Sequence, residues 1–212
     1  MKIISYSLWG EDPKYTIGAV RNAETIKDFY PGWIGRFYCG QSVPSEIIKR
    51  IESNPECEVI LMNEQGNWEG MFWRFFAADS DDVVLSRDTD CRFSEREVNA
   101  VNDWLNGDKD FHVMRDHPYH GTEILGGMWG SRNGILRGII EWITEYKKGD
   151  FWQVDQNFLR EVVWPKVQNN TCTHDEFFAK IPFPSPRKPR EFVGKAFNGD
   201  DTEFEPRHGE MV

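Results

Sequence analysis

Asp88 and Asp90, in the run DDVVLSRDTDCRF, stand two residues apart directly after the apolar segment Val83 to Leu85. In extended chain such a pair points to one side, and its mutual repulsion is relieved by a divalent cation or by arginines. Oxygen ligands for Mg²⁺ or Mn²⁺ need rigid backbone beneath and open solvent above. A buried strand running into the pair, with a capped helix after it, would supply both. Arg74, Arg87 and Arg92 are the other means of neutralising the two carboxylates. Three of the five histidines, His112, His117 and His120, fall in FHVMRDHPYHGTEILGG together with Asp116. Imidazole and carboxylate suit zinc, but the spacing matches no compact helical pair, and a polar loop lining a pocket is the competing reading. The glycines of GGMWGSRNG, Gly126 and Gly127 first, do not form a dinucleotide fingerprint. They would allow close approach of backbone to a sugar, or serve as turns around a buried Met128 and Trp129.

The surrounding pattern is strand and helix in alternation. KIISYSL, WIGRFYC, CEVILM and DVVLS read as strands. Helices are expected over residues 15–30, over PSEIIKRIES with Pro44 near its first turn, and over SEREVNAVNDWL with Ser94 as cap and Glu97 three residues on. Such alternation argues an α/β fold with a mostly parallel sheet, in which ligands sit beyond the carboxyl ends of the strands, where the D-x-D pair falls. DFHVM and ILGGMWG extend the strand list, and NGILRGIIEWITEYKK and DFWQVDQNFLREVV read as helical. Trp73, Trp104, Trp142 and Trp152 take apolar helix positions and are expected in the core. From Ile181 the chain is rich in Pro and charge and is expected to wrap the surface with little regular structure. The expected division is residues 1–181 as the domain that carries the D-x-D pair and 182–212 as a tail packing on or near it.

A formal charge of −10 over 212 residues argues against general affinity for nucleic acid or anionic membrane, which need clustered Lys and Arg. Any phosphate therefore needs a local arrangement such as a metal. Neither a signal peptide nor a transmembrane segment is legible, and the four scattered cysteines form no C-x-x-C pair. A soluble cytoplasmic protein is the expectation.

The order FWRFFAADSDDVVLSRDTDCRF, then ILGGMWG, then VDQNFL, resembles the landmarks of metal-dependent GT-A glycosyltransferases. It is most similar to the retaining family of glycogenin and the bacterial lipopolysaccharide galactosyltransferases. The resemblance implies a single GT-A, Rossmann-like domain that transfers sugar from a nucleoside-diphosphate donor to a glycan or other hydroxyl acceptor. It makes Asp88 and Asp90 the ligands of Mn²⁺ or Mg²⁺, has Arg74 hold the nucleotide sugar, and sets Tyr6 and Ser7 at the base. It also has Asp155 and Gln156, in the first turn of a helix, face the donor sugar. The sequence departs from the family in having Ser86 and Arg87 where aliphatic residues precede D-x-D, and EFVGKAF in place of a late histidine segment. Lys195, after a Gly194 hinge, would add a cation from a lid-like tail. Asp116 is the competing carboxylate, as base of an inverting enzyme. Two other functions use the same features: a sugar nucleotidyltransferase, and a module that binds nucleotide sugar without transfer.

Overall fold

The computed structural model describes residues 1–146 and 148–212. The first half follows the alternation: β1 (Lys2–Leu8), α1 (Pro13–Phe29), β2 (Ile34–Cys39), α2 (Ser45–Glu52) and β3 (Cys57–Leu61). A 3₁₀ segment (Trp68–Ala78) leads into β4 (Val83–Ser86), α3 (Glu95–Asn106) and β5 (Phe111–Arg115). Next come β6 (Trp129–Ser131), α4 (Ile139–Glu145) and α5 (Val154–Phe158), which runs through a π turn into α6 (Trp164–Val167). β7 (Thr171–Asp175) and a single turn of helix, α7 (Pro206–Gly209), complete the chain. The strand order β3-β2-β1-β4-β6-β5-β7 makes one mixed sheet, parallel except for β6.

Period-two alternation along the strands feeds two cores. Ile3 and Val84 face Phe75, Phe111, Trp129 and Phe158, while Ile4 and Leu85 face α1, α2 and Trp104 on the other side. Trp129 stacks on Phe111 at 5.6 Å between centroids, and truncating so enclosed a side chain would cost about 3–5 kcal/mol. The helix starts are specified locally. Asp12 accepts from Lys14 N at 2.9 Å, with Pro13 in the first turn, and Ser94 accepts from Glu97 N at 3.2 Å.

Three expectations need correction. ILGGMWG is not one strand, because residues 124–128 form a turn and only Trp129–Ser131 pairs. The helix expected from Asp150 begins at Val154, since Gln153 has φ +68° and reverses the chain. This leaves Trp152 65% exposed, not in the core. β7 was not anticipated, because TCTHD carries no apolar alternation; it lies at the sheet edge and buries His174 and Asp175. The tail has little regular structure beyond α7 and isolated bridges, one of which joins Ala196 to Cys91.

Candidate active site

A cavity of about 460 Å³ opens beyond the carboxyl ends of β1 and β4, against the first turn of α1. Trp9, Tyr15, Trp68 and Trp152 supply aromatic surface, and Lys14 and Arg74 face Glu11, Asp12, Asp88 and Asp90 across it. Two cations against four carboxylates leave its walls negative.

The fold positions these groups by close backbone approach. The D-x-D loop rests on α1 at Gly18, where a Cβ would collide with the Thr89 carbonyl, and Asn22 Nδ2 donates to the same oxygen at 3.1 Å. On the other side the tail closes the ladder, with Phe197 N donating to Asp90 O at 2.8 Å. Arg74 is buried and bridges two carboxylates, pairing with Asp88 and, at 2.7 Å, with Asp155 Oδ2. Its backbone N donates to Ser7 Oγ at 2.9 Å, so Ser7 both lines the cavity and anchors the 3₁₀ segment. Gly126 and Gly127 pass over this group so closely that a Cβ on the first would strike Arg74 and Asp155, and one on the second Asp88.

The charges are tuned by enclosure. Burial pushes the Asp90 carboxyl above its usual range, the charge of Asp88 adds to this, and Lys14 at 2.9 Å opposes it. Burial likewise raises Asp155, with Arg74 opposing. Asp155 Oδ1 and Arg74 Nε have no hydrogen-bond partner among the described residues, so the group retains unused polar capacity. The ligating atoms of Asp88, Asp90 and Cys91 lie within 4.8 Å of one another. Two carboxylates are the hard oxygen donors that Mg²⁺ and Mn²⁺ take, so these residues fit such an ion. The Cys91 thiol is held protonated by burial and the adjacent carboxylates.

Of the residues singled out from sequence, Ser7, Arg74, Asp88, Asp90, Asp155, Gly126 and Gly127 come together here. Others do not. Tyr6 is fully buried and stacks on Phe37 at 4.5 Å, because neighbouring strand residues face opposite ways and Ser7 takes the cavity side. Asp155 is enclosed behind Arg74, not solvent-facing, and Gln156 beside it is half-buried and off the cavity wall. Lys195 pairs with Glu203, donates to Arg190 O at 3.0 Å, and faces a different cavity. Asp116 is buried between Arg96 and Arg187. Arg87 turns inward to Glu97 at 2.7 Å and Arg92 outward to Asp201 at 3.0 Å, so of the three arginines only Arg74 meets the D-x-D carboxylates. The three-histidine zinc reading fails: His117 and His120 lie against Phe192 of the tail, whereas His112 stacks on Trp104. Sequence reasoning missed Lys14, Glu11, Trp9 and Trp68. For Lys14, Glu11 and Trp9 the available signal was WGEDPKY, a cluster of this chemistry directly after the first strand of a doubly wound sheet.

The cavity thus opens at the carboxyl end of the sheet, with the Asp88–Asp90 pair on the loop after β4, in a fold shared with glycosyltransferases of known structure. Among solved structures, the chain is similar to a glycosyltransferase involved in the glycosylation of the major capsid of PBCV-1, with TM-score 0.53 and 16% identity over 83% of this chain and 82% of that one. The galactosyltransferase LgtC, in complex with donor and acceptor sugar analogues, aligns over 99% of this chain and 94% of its own at TM-score 0.49 and 12% identity. A putative glucose-1-phosphate thymidylyltransferase from Bacillus anthracis aligns over 82% and 86% at TM-score 0.49 and 9% identity. No family model matches the sequence, and no curated protein does. The likeness at TM-score 0.53 shows the fold. No described helix is long and apolar enough to cross a membrane.

Proposed function

We propose that this protein is a metal-dependent glycosyltransferase that moves a sugar from a nucleoside diphosphate to a hydroxyl acceptor, with retention. The observation that carries the reading is the charge of the cavity: two cations, Lys14 and Arg74, face four carboxylates. A diphosphate cannot enter such walls without added positive charge, and one divalent cation brings them to neutrality. Asp88 and Asp90 would hold Mn²⁺ or Mg²⁺, which when bound neutralises charge on the departing diphosphate. Lys14, on a flexible stem, is free to move from Asp90 to a phosphate oxygen once a cation takes its place. Arg74 is locked by Asp88 and Asp155 and acts as a fixed donor. The four aromatic residues at the walls offer stacking faces for base and sugar.

For retention speaks the placement of Asp116, the inverting base named from sequence, which is buried in ion pairs away from the cavity; against it stands one wall carboxylate. Glu11 is the wall carboxylate that would serve an inverting enzyme in its stead. The test is incubation with a panel of nucleotide sugars and Mn²⁺. Released nucleoside diphosphate supports transfer, pyrophosphate would support a nucleotidyltransferase, and binding without either product would leave a binding module. Proton NMR of the anomeric coupling then reads the stereochemistry. An inverted product together with an inactive Glu11→Gln would overturn retention.

A further inference from the structure

At the far edge of the sheet, β5 and β7 run parallel with His112 opposite Cys172 and Met114 opposite His174. Alternation turns His112, Cys172 and His174 to one face, the face covered by α3. There His112 Nε2 lies 2.8 Å from His174 Nδ1, and the ligating atoms of all three residues fall within 4.8 Å of one another. From α3, Asp103 Oδ2 meets the opposite nitrogen of His174 at 3.3 Å.

We propose that His112, Cys172 and His174 form a zinc site that ties the edge strand β7 to β5, with solvent as the fourth ligand. Two imidazole nitrogens and one thiolate are the borderline donors zinc selects, and three protein ligands with one open position is an established tetrahedral arrangement. Asp103 supplies the feature that separates a built site from a chance meeting. Accepting from His174 Nε2–H, it turns Nδ1 inward as a free lone pair, the carboxylate–histidine relation found behind metal-bound imidazoles. The distances need only a small adjustment: two zinc–nitrogen bonds of about 2.0–2.1 Å at a tetrahedral angle set the nitrogens about 3.3 Å apart. A slight rotation of either ring reaches this from the hydrogen-bonded pair. Zinc takes the place of the proton between the rings, which moves to His112 Nδ1, a buried nitrogen with no partner among the described residues. The Cys172 thiol proton leaves to solvent. Asp103 is exposed and Cys172 half-buried, whereas His112 is fully buried, so solvent meets the group at Asp103 and Cys172.

Cobalt is the probe. After chelator treatment, the wild-type protein should bind one Co²⁺ that gives a thiolate-to-cobalt charge-transfer band and the intense visible bands of four-coordination, displaced by Zn²⁺ with a rise in melting temperature. Cys91 is the confounding thiol, since it lies beside Asp88 and Asp90. The band should therefore survive Cys91→Ser and Asp90→Asn and vanish in Cys172→Ser. Asp103→Asn should weaken Zn²⁺ binding by about 10- to 100-fold. No thiolate band in the wild-type protein, which needs no variant to fold, would overturn the proposal, as would a band that persists in Cys172→Ser.

Discussion

Replacing Asp116 by Asn keeps the side chain's shape, removes its charge and turns one of its two acceptor oxygens into a donor. The carboxylate is fully buried and takes four contacts: Arg96 Nε and Nη2 at 2.9 Å each, Arg187 Nη2 at 2.5 Å, and Val193 N at 3.0 Å. An Asn has one acceptor oxygen for these donors and must turn an amide NH₂ toward a guanidinium. Removing one partner of a buried ion pair costs about 3–5 kcal/mol. Arg96 keeps Glu176 at 2.9 Å and the Ser185 carbonyl, so much of the loss falls on Arg187 and Val193, the tail's own contacts. If the tail opens locally, about 1.4 kcal/mol per decade makes the open form roughly 100- to 3,000-fold more populated. Cleavage between Pro182 and Val193 should accelerate correspondingly where closing outpaces cutting. If the loss is felt globally, melting should fall by roughly 6–20 °C, at about 2–4 °C per kcal/mol for a chain of this size. Sugar transfer below the new melting point should persist, because Asp116 lies off the cavity. Wild-type melting combined with wild-type proteolysis would refute the idea that this carboxylate holds the tail, and loss of transfer in a folded variant would return it to the list of bases.

Gly18→Ala should cost about 1–3 kcal/mol by overpacking against the Thr89 carbonyl, and should weaken Mn²⁺ binding through displacement of the D-x-D loop. Denaturant titration and calorimetry would read the two effects, and unchanged metal affinity would count against the loop's dependence on α1. Trp152→Ala removes an exposed ring, so stability should stay within about 0.5 kcal/mol of wild type. Nucleotide or acceptor affinity should drop by the roughly 1–3 kcal/mol of a lost stacking face. Asp90 must be ionised to hold a cation, and enclosure raises its carboxyl above the ordinary value of about 4. Mn²⁺ affinity should therefore be full above that raised value and decline as pH falls through it, sooner than for an unperturbed carboxylate; a calorimetric profile flat down to the ordinary range would contradict the assignment.

The parts of this molecule legible in sequence are those where one physical signal dominates. Apolar runs with capped helices between them marked β1 to β4 and α1 to α3, and a carboxylate pair at a strand end marked the cavity. Tyr6 was misplaced because a resemblance assigns positions in pairs, whereas a pleated strand sends alternate residues to opposite faces. Trp152 was misplaced because a single left-handed residue, Gln153, decides where its helix begins, and periodicity does not register such a reversal. β7 escaped notice because an edge strand that buries a histidine and an aspartate has no apolar pattern to read. Lys14 lay in plain view, but its pairing with Asp90 spans the distance from α1 to the loop after β4, which only the assembled sheet brings together.

β6 is three residues long, yet β4 and β5 touch no other common strand, so the sheet's two halves meet along Trp129, Gly130 and Ser131. A seam so short has few hydrogen bonds to hold its register, but its side chains forbid sliding. Trp129 fills one core, and opposite it Gly130 leaves no room for a Cβ beneath Trp104 and Leu85. Slippage by one residue would drive an indole into the space of a hydrogen atom. The height of Gly126 and Gly127 above Asp88 can thus change only in two-residue strand steps of about 6.6 Å, with nothing stable between. The cavity's floor is indexed like a ratchet tooth. Loops around the rim are free to lengthen, shorten or change composition over evolutionary time, while a one-residue insertion or deletion within β6 would set Trp129 and Gly130 on the wrong faces and leave the floor with no notch to rest in.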